Sequence, residues 1–61
     1  MIKFNDMTSK AARIVSRRNG KGAERFARNA AFDIASSTDY TEEEAYAEIM
    51  RKAAILAQAN A

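Results

Sequence analysis

Residues 41–58 read TEEEAYAEIMRKAAILAQ and carry the strongest structural signal in the chain. Thr41 stands three residues before Glu44, which is the spacing of a capping box, in which each side chain accepts a hydrogen bond from the backbone N–H of the other residue. The glutamates that follow Thr41 also suit the positive end of a helix dipole. The pattern therefore predicts a helix over residues 42–58.

The region before this helix divides at a turn that contains glycine. Apolar residues recur at helical spacing over residues 7–18, and Asp6 or Thr8 is the expected N-cap of this first helix. Gly20 is expected to follow its C-terminus, because glycine readily adopts the positive φ found there. Residues 1–5, which come before the first helix, are expected to be extended or irregular.

A second helix is predicted over residues 23–35, with Gly22 as its N-cap and the polar run at residues 36–39 as its end. Each helix has an apolar face that must be buried. The predicted faces are Met7, Ala11, Ile14 and Val15; Ala23, Phe26, Ala27, Ala30 and Ile34; and Tyr46, Ile49, Ala53, Leu56 and Ala57. The predicted fold class is all-α, a small three-helix bundle with residues 1–61 as one helical domain. The competing architecture is a helical hairpin that dimerises into a larger bundle.

The composition excludes several classes of site. The 61 residues include no Cys, His, Pro or Trp, so disulfides, thiolate chemistry and histidine catalysis are absent. Of 29 apolar residues 14 are alanine, so the core is expected to be thin and the monomer marginally stable. We expect no enzyme activity, no cofactor and no metal site. We also expect a cytoplasmic protein, because no run of residues is long and apolar enough to span a membrane.

The charged residues are unevenly distributed along the chain. Residues 1–34 carry a net charge of +5 and residues 35–61 carry −3. Arginine is enriched at interfaces because its guanidinium bonds carboxylates and phosphates in a bidentate manner. The basic residues of the first two helices are expected to form one stripe along that helix pair. With their neighbours they make the predicted partner-binding set: Lys10, Arg13, Arg17, Arg18, Lys21, Arg25, Arg28, Asn29 and Phe32.

Two large apolar residues lie away from the apolar faces of their helices. Phe32 is predicted to lie opposite the apolar face of the second helix, among arginine and asparagine, which is the composition of a binding hot spot. The small number of large apolar residues favours another interpretation, in which Ile2 and Phe4 fold back over Phe32 or the second helix is buried all round. Ile55 lies among charged residues of the third helix and is a candidate self-association contact.

Three functions remain open from the sequence. The leading hypothesis is a small non-enzymatic regulator or inhibitor that binds the acidic surface of a larger protein through its arginine-rich face. An alternative is nucleic-acid binding through the same face, with Phe32 stacking on a base. A second alternative is a structural homo-oligomer, with a homodimer as its simplest form. The turn over residues 17–22 fits an anion site, although its glycines are better explained as helix caps.

Overall fold

The three helices predicted from the sequence are all present. The computed structural model describes residues 3–18 and 22–59, in which α1 spans Phe4–Arg17, α2 spans Ala23–Ser37 and α3 spans Glu42–Ala59. All three helices pack against one another, and α3 makes the more extensive contacts, with both α1 and α2. The prediction of an all-α three-helix bundle is confirmed.

The N-terminus of α3 has the capping box that the sequence predicts. The Glu44 N–H donates to Thr41 Oγ1 over 3.1 Å, and the Thr41 N–H donates to Glu44 Oε1 over 2.9 Å. The two bonds satisfy backbone donors that the first turn of a helix leaves without an intrahelical partner. The start of α3 at Glu42 is confirmed, and the helix extends to Ala59, one residue beyond the predicted end.

The start of α1 differs from the prediction. Lys3 is the extended residue before the helix, and Phe4 and Asn5 are already helical, so the prediction of an extended segment is wrong for these two residues. Neither Asp6 nor Thr8 is the N-cap. The fully buried Thr8 hydroxyl lies 3.0 Å from the Phe4 carbonyl oxygen and 3.1 Å from that of Asn5, which ties these residues into the helix. Residues 1 and 2 lie outside the described residues.

In the connection from α1 to α2, the structure describes Arg18 and Gly22, on either side of residues 19–21. α1 ends at Arg17, one residue before the predicted end, and the Arg18 N–H donates to the Val15 carbonyl oxygen over 3.1 Å. The predicted role of Gly20 falls outside the described residues. Gly22 is confirmed as the N-cap of α2, and its φ of +94° lies in the left-handed region that side chains with a Cβ rarely adopt.

α2 ends two residues later than predicted. Ser36 donates its hydroxyl hydrogen to the Phe32 carbonyl oxygen over 2.9 Å, and Thr38 donates to that of Ile34 over 2.8 Å. The Thr38 bond satisfies the Ile34 carbonyl, one of the last four of the helix, and α2 continues through the first part of the polar run to Ser37.

Alanine supplies six of the nine buried apolar residues of the bundle, and Val15, Ile34 and Ile49 supply the others. The predicted inward positions Ala11, Val15, Ala27, Ile34, Ile49 and Ala53 are confirmed as buried. Met7 and Ile14 instead lie at the edge of α1, Phe26 at the edge of α2, and Ala57 on the surface of α3. Small side chains at the contacts allow helices to approach closely, which pushes bulky side chains to the flanking grooves. The buried apolar residues are Ala11, Ala12, Val15, Ala27, Ala31, Ile34, Ala45, Ile49 and Ala53.

Within residues 3–18 and 22–59, none of the helices combines the length and the apolar character needed to cross a lipid bilayer.

Candidate functional site

The outer face of α2 brings together four members of the predicted binding set. Arg25, Arg28, Asn29 and Phe32 are spaced three, four and seven residues apart, so they form one continuous patch on the helix surface. All four are exposed, and Phe32, at 60 %, is the most exposed large apolar residue in the described part of the chain. We call this patch the Phe32 face.

The structure leaves the ring of Phe32 open to solvent. Phe4 does not cover it, because the Phe4 ring stacks on Tyr40, with 3.8 Å between ring centroids and 20° between ring planes. α2 is not buried all round either, since Arg25 and Asn29 are exposed on the same side as Phe32. Ile2, the other residue proposed to cover the ring, lies outside the described residues.

Arg28 is held in place at the edge of the Phe32 face. Its guanidinium carbon lies 4.6 Å from the centre of the Tyr46 ring on α3, a cation–π distance. Its Nε also donates to Glu24 Oε2 over 3.4 Å, but both side chains are more than half exposed, so this ion pair contributes little. Packing on Tyr46 therefore limits the freedom of the Arg28 head and leaves it available to a partner.

The basic residues of α1 do not join the Phe32 face. Lys10 lines the groove between α1 and α2, whereas Arg13 lines the groove between α1 and α3. The Arg18 guanidinium lies 5.2 Å from the centre of the Phe26 ring. The expectation of one stripe along α1 and α2 is wrong, because the outer faces of neighbouring helices in a bundle point in different directions.

The remaining predicted site residues are dispersed. Arg17 is exposed in the last turn of α1, and Lys21 lies outside the described residues. Ile55 is 54 % exposed and lines the α1–α3 groove beside Arg13 and Leu56. Its role in self-association stays a prediction.

A polar clamp between α3 and α1 was missed at the sequence level. Lys52 Nζ donates to both Asn5 Oδ1 and Thr8 Oγ1, over 2.6 and 2.8 Å, and it lies 3.1 Å from the Asn5 carbonyl oxygen and from Ser9 Oγ. The sequence pattern could have indicated this clamp, because Lys52 lies three residues after Ile49 and therefore on the inward side of α3. The clamp fixes the first turns of α1 on α3.

Charges on α3 also interact along the helix. Arg51 donates from Nε and Nη2 to the Glu48 carboxylate over 3.0 and 2.7 Å, and Lys52 Nζ lies 3.4 Å from the same carboxylate. These hydrogen bonds, above all the one from Arg51, hold the pKa of Glu48 below its ordinary value, although desolvation opposes the shift. The Glu48 carboxylate raises the pKa of Arg51 in turn.

Neither a family model, nor a curated protein, nor a solved structure matches this chain. Among residues 3–18 and 22–59, acidic side chains do not gather in groups of three or more that could hold a metal ion. The Phe32 face combines one aromatic ring, two guanidinium groups and one amide on a single helix.

Proposed function

We propose that this chain is a non-enzymatic regulator or inhibitor that binds a larger protein through the Phe32 face. The observation that carries the proposal is the open ring of Phe32 among Arg25, Arg28 and Asn29. Aromatic residues and arginine dominate the energetic centres of protein interfaces, where the ring enters a dry pocket and guanidinium groups bond carboxylates around it. The partner surface is therefore an apolar pocket with an acidic rim.

The exposed area of Phe32 is large enough to anchor an interface. A buried phenylalanine removes about 150–250 Å² from water, so an exposed fraction of 60 % corresponds to roughly 120 Å². At about 25 cal/mol per Å², its burial contributes about 3 kcal/mol to binding. Because alanine retains part of this contact, Phe32→Ala is expected to cost about 2 kcal/mol, which is roughly a 30-fold loss of affinity.

Nucleic-acid binding is the second candidate, and the same exposed ring supports it. An aromatic side chain beside arginine is a typical platform for stacking an unpaired base. Two observations favour a protein partner instead. The basic residues are divided among three sides of the bundle, and α2 itself carries Glu24 and Asp33 along with its two arginines. A phosphate backbone requires a continuous basic track, which this arrangement lacks within the described residues.

The test begins with crosslinking from the Phe32 face. A photoreactive phenylalanine analogue at position 32 is used to capture the partner from a lysate of the organism that encodes the chain. The control places the analogue at Ala47, which is exposed on α3. The captured protein is purified and titrated with the wild type, Phe32→Ala and the matched control Ile55→Ala, which removes a similarly exposed apolar side chain from another face.

We expect Phe32→Ala to weaken binding about 30-fold and Ile55→Ala to leave binding unchanged. Equal affinities for Phe32→Ala, Arg25→Ala and the wild type would refute the assignment of the Phe32 face. A parallel titration of fluorescent single- and double-stranded nucleic acid covers the second candidate. Tight binding that weakens steeply with salt and is lost in Phe32→Ala would favour nucleic acid over a protein partner.

A further inference from the structure

The groove between α1 and α2 is lined mainly by apolar side chains. Its walls are the half-buried side chains of Met7, Ile14 and Phe26, and the small residues Ala11 and Ala30 form its floor. The cavity measures about 440 Å³. It lies where the helix contacts are least extensive, since α1 and α2 each pack more closely on α3 than on each other. A shallow apolar groove with a small-residue floor suits a packed helix.

Charges of both signs lie on the rim of this groove. Lys10 stands on the α1 side and Asp33 on the α2 side, and Asp6 lies one helical turn before Lys10. Among the described residues, none of these three groups forms an ion pair within 4.0 Å. A two-fold interface requires a self-complementary surface, on which each copy supplies both members of every charge pair. The rim of this groove supplies one base and two acids on every copy.

We infer that a second copy of this chain docks on the α1–α2 groove about a two-fold axis. The apolar walls of the two copies pack against each other, and Lys10 of each copy faces the acidic rim, with Asp33 of the second copy as its main counterion. This occupant is favoured because a single patch carries the base, the acid and the apolar strip that each copy needs. The symmetric arrangement forms the Lys10–Asp33 pair twice without any further partner.

The size of this surface sets the strength of the dimer. A helix of 14 residues is about 21 Å long, and two helices side by side are about 20 Å wide, so the footprint is roughly 400 Å² per copy. A standard interface buries about 800 Å² per partner, so the dimer is weak. We expect monomer and dimer both to be populated between about 5 µM and 1 mM.

Dimerisation leaves the Phe32 ring open. Phe26 and Phe32 are six residues apart on α2, which places their side chains about 120° apart around the helix axis. Asn29 of the Phe32 face lies one helical turn before Asp33 on the groove rim, so the two surfaces adjoin there. The proposed function is therefore tested at Phe32 and Arg25, which do not line the groove.

The inference is tested by reversing the charge at position 10 in one variant and at position 33 in another, and then mixing the two variants. Sedimentation equilibrium of the full chain between 5 µM and 1 mM is measured for the wild type, Lys10→Glu, Asp33→Lys and an equimolar mixture of the two variants. The matched control is Arg13→Glu, which makes the same change of net charge on α1 but outside the groove. Circular dichroism establishes that each variant is folded.

Each single variant places like charges opposite each other, so we expect its dimerisation to weaken at least about tenfold. In the mixture, the glutamate introduced at position 10 of one variant meets the lysine introduced at position 33 of the other, and the native Asp33 meets the native Lys10. We therefore expect the heterodimer to recover wild-type affinity to within about threefold, whereas an ion pair within one chain produces no recovery on mixing. Arg13→Glu should dimerise like the wild type.

Three results would overturn the inference. The first is a wild type that stays monomeric up to 1 mM, which would leave the groove to a different chain. The second is a dimer that Ile55→Glu disrupts but Lys10→Glu does not, which would move the interface to the α1–α3 groove. The third is a dimer that both rim variants weaken and that their mixture fails to restore.

Discussion

Replacing Lys52 with methionine tests whether the clamp between α3 and α1 stabilises the bundle. Methionine keeps most of the aliphatic stem and removes the ammonium group. Lys52 is only 15 % exposed, and its Nζ lies within 3.1 Å of four oxygen atoms contributed by Asn5, Thr8 and Ser9 of α1. The substitution therefore removes hydrogen bonds between two helices at a site largely shielded from water.

The expected cost of Lys52→Met follows from the balance of two contributions. Hydrogen bonds that involve a charged group contribute about 1.5–3 kcal/mol each, but the variant also avoids the cost of desolvating the ammonium group. Thr8 keeps a partner, because its hydroxyl can still donate to the carbonyl oxygen of Phe4. We therefore expect a net loss of about 2 kcal/mol. In a domain of this size such a loss lowers Tm by about 8–16 °C.

Urea unfolding and thermal melting, both followed by circular dichroism, measure this loss, and Arg51→Met is the matched control on the same helix. Arg51 makes a 2.7 Å ion pair with Glu48, which is as short as the contacts of Lys52, but the Arg51 side chain is 59 % exposed. Solvent screens such a pair, so Arg51→Met should change stability much less than Lys52→Met. If the two variants lose equal stability, or Arg51→Met loses more, the reasoning from burial is wrong.

Three further predictions concern the cap, the core and the charge on α3. Thr41→Ala removes one half of the capping box and should lower the free energy of unfolding by about 1 kcal/mol in urea titrations. Thr41→Ser keeps the hydroxyl and should retain most of the stability of the wild type. Ala31→Leu inserts a large side chain where the alanine is fully buried, so a loss of at least about 1–3 kcal/mol is expected, and an unchanged Tm would show that the helix contacts are loose. Because the pKa of Glu48 is lower in the folded chain than in the unfolded chain, its ionised carboxylate stabilises the fold at pH values above the pKa of the unfolded state. This contribution is lost as the pH falls through the pKa of the folded state. The stability difference between the wild type and Glu48→Gln should therefore shrink between pH 7 and pH 3, and a constant difference would exclude a role for ionised Glu48.

The helices could be predicted from the sequence because their signals are local. The capping box depends on two residues three positions apart, and the left-handed backbone at Gly22 depends on one residue. The start of α1 was misplaced because it depends on distant residues. Phe4 stacks on Tyr40, and Asn5 accepts from Lys52, so helical structure begins before the local cap signals at Asp6 and Thr8.

The candidate site was only partly predictable for a related reason. The Phe32 face lies on one helix, so helical spacing was sufficient to group its residues. The stripe across α1 and α2 failed because periodicity places residues around one helix axis but does not fix the rotation of one helix relative to another. That rotation follows from which side chains meet at the contacts. On α1, Ala12, which lies outside the predicted apolar face, is fully buried, whereas Met7 and Ile14 are only half-buried.

The distribution of apolar side chains supports a binding role for this chain. Six of the nine buried apolar residues in the described part of the chain are alanine, whereas Phe32 and Ile55 are more than half exposed. Burying a phenylalanine contributes several times the free energy of burying an alanine, so a bundle optimised only for monomer stability would place Phe32 inside. The arrangement at Phe32 is explained if the missing burial occurs on binding. It follows that Phe32→Ala should leave Tm nearly unchanged while it weakens binding to the partner, and a large loss of Tm would show instead that the ring stabilises the bundle.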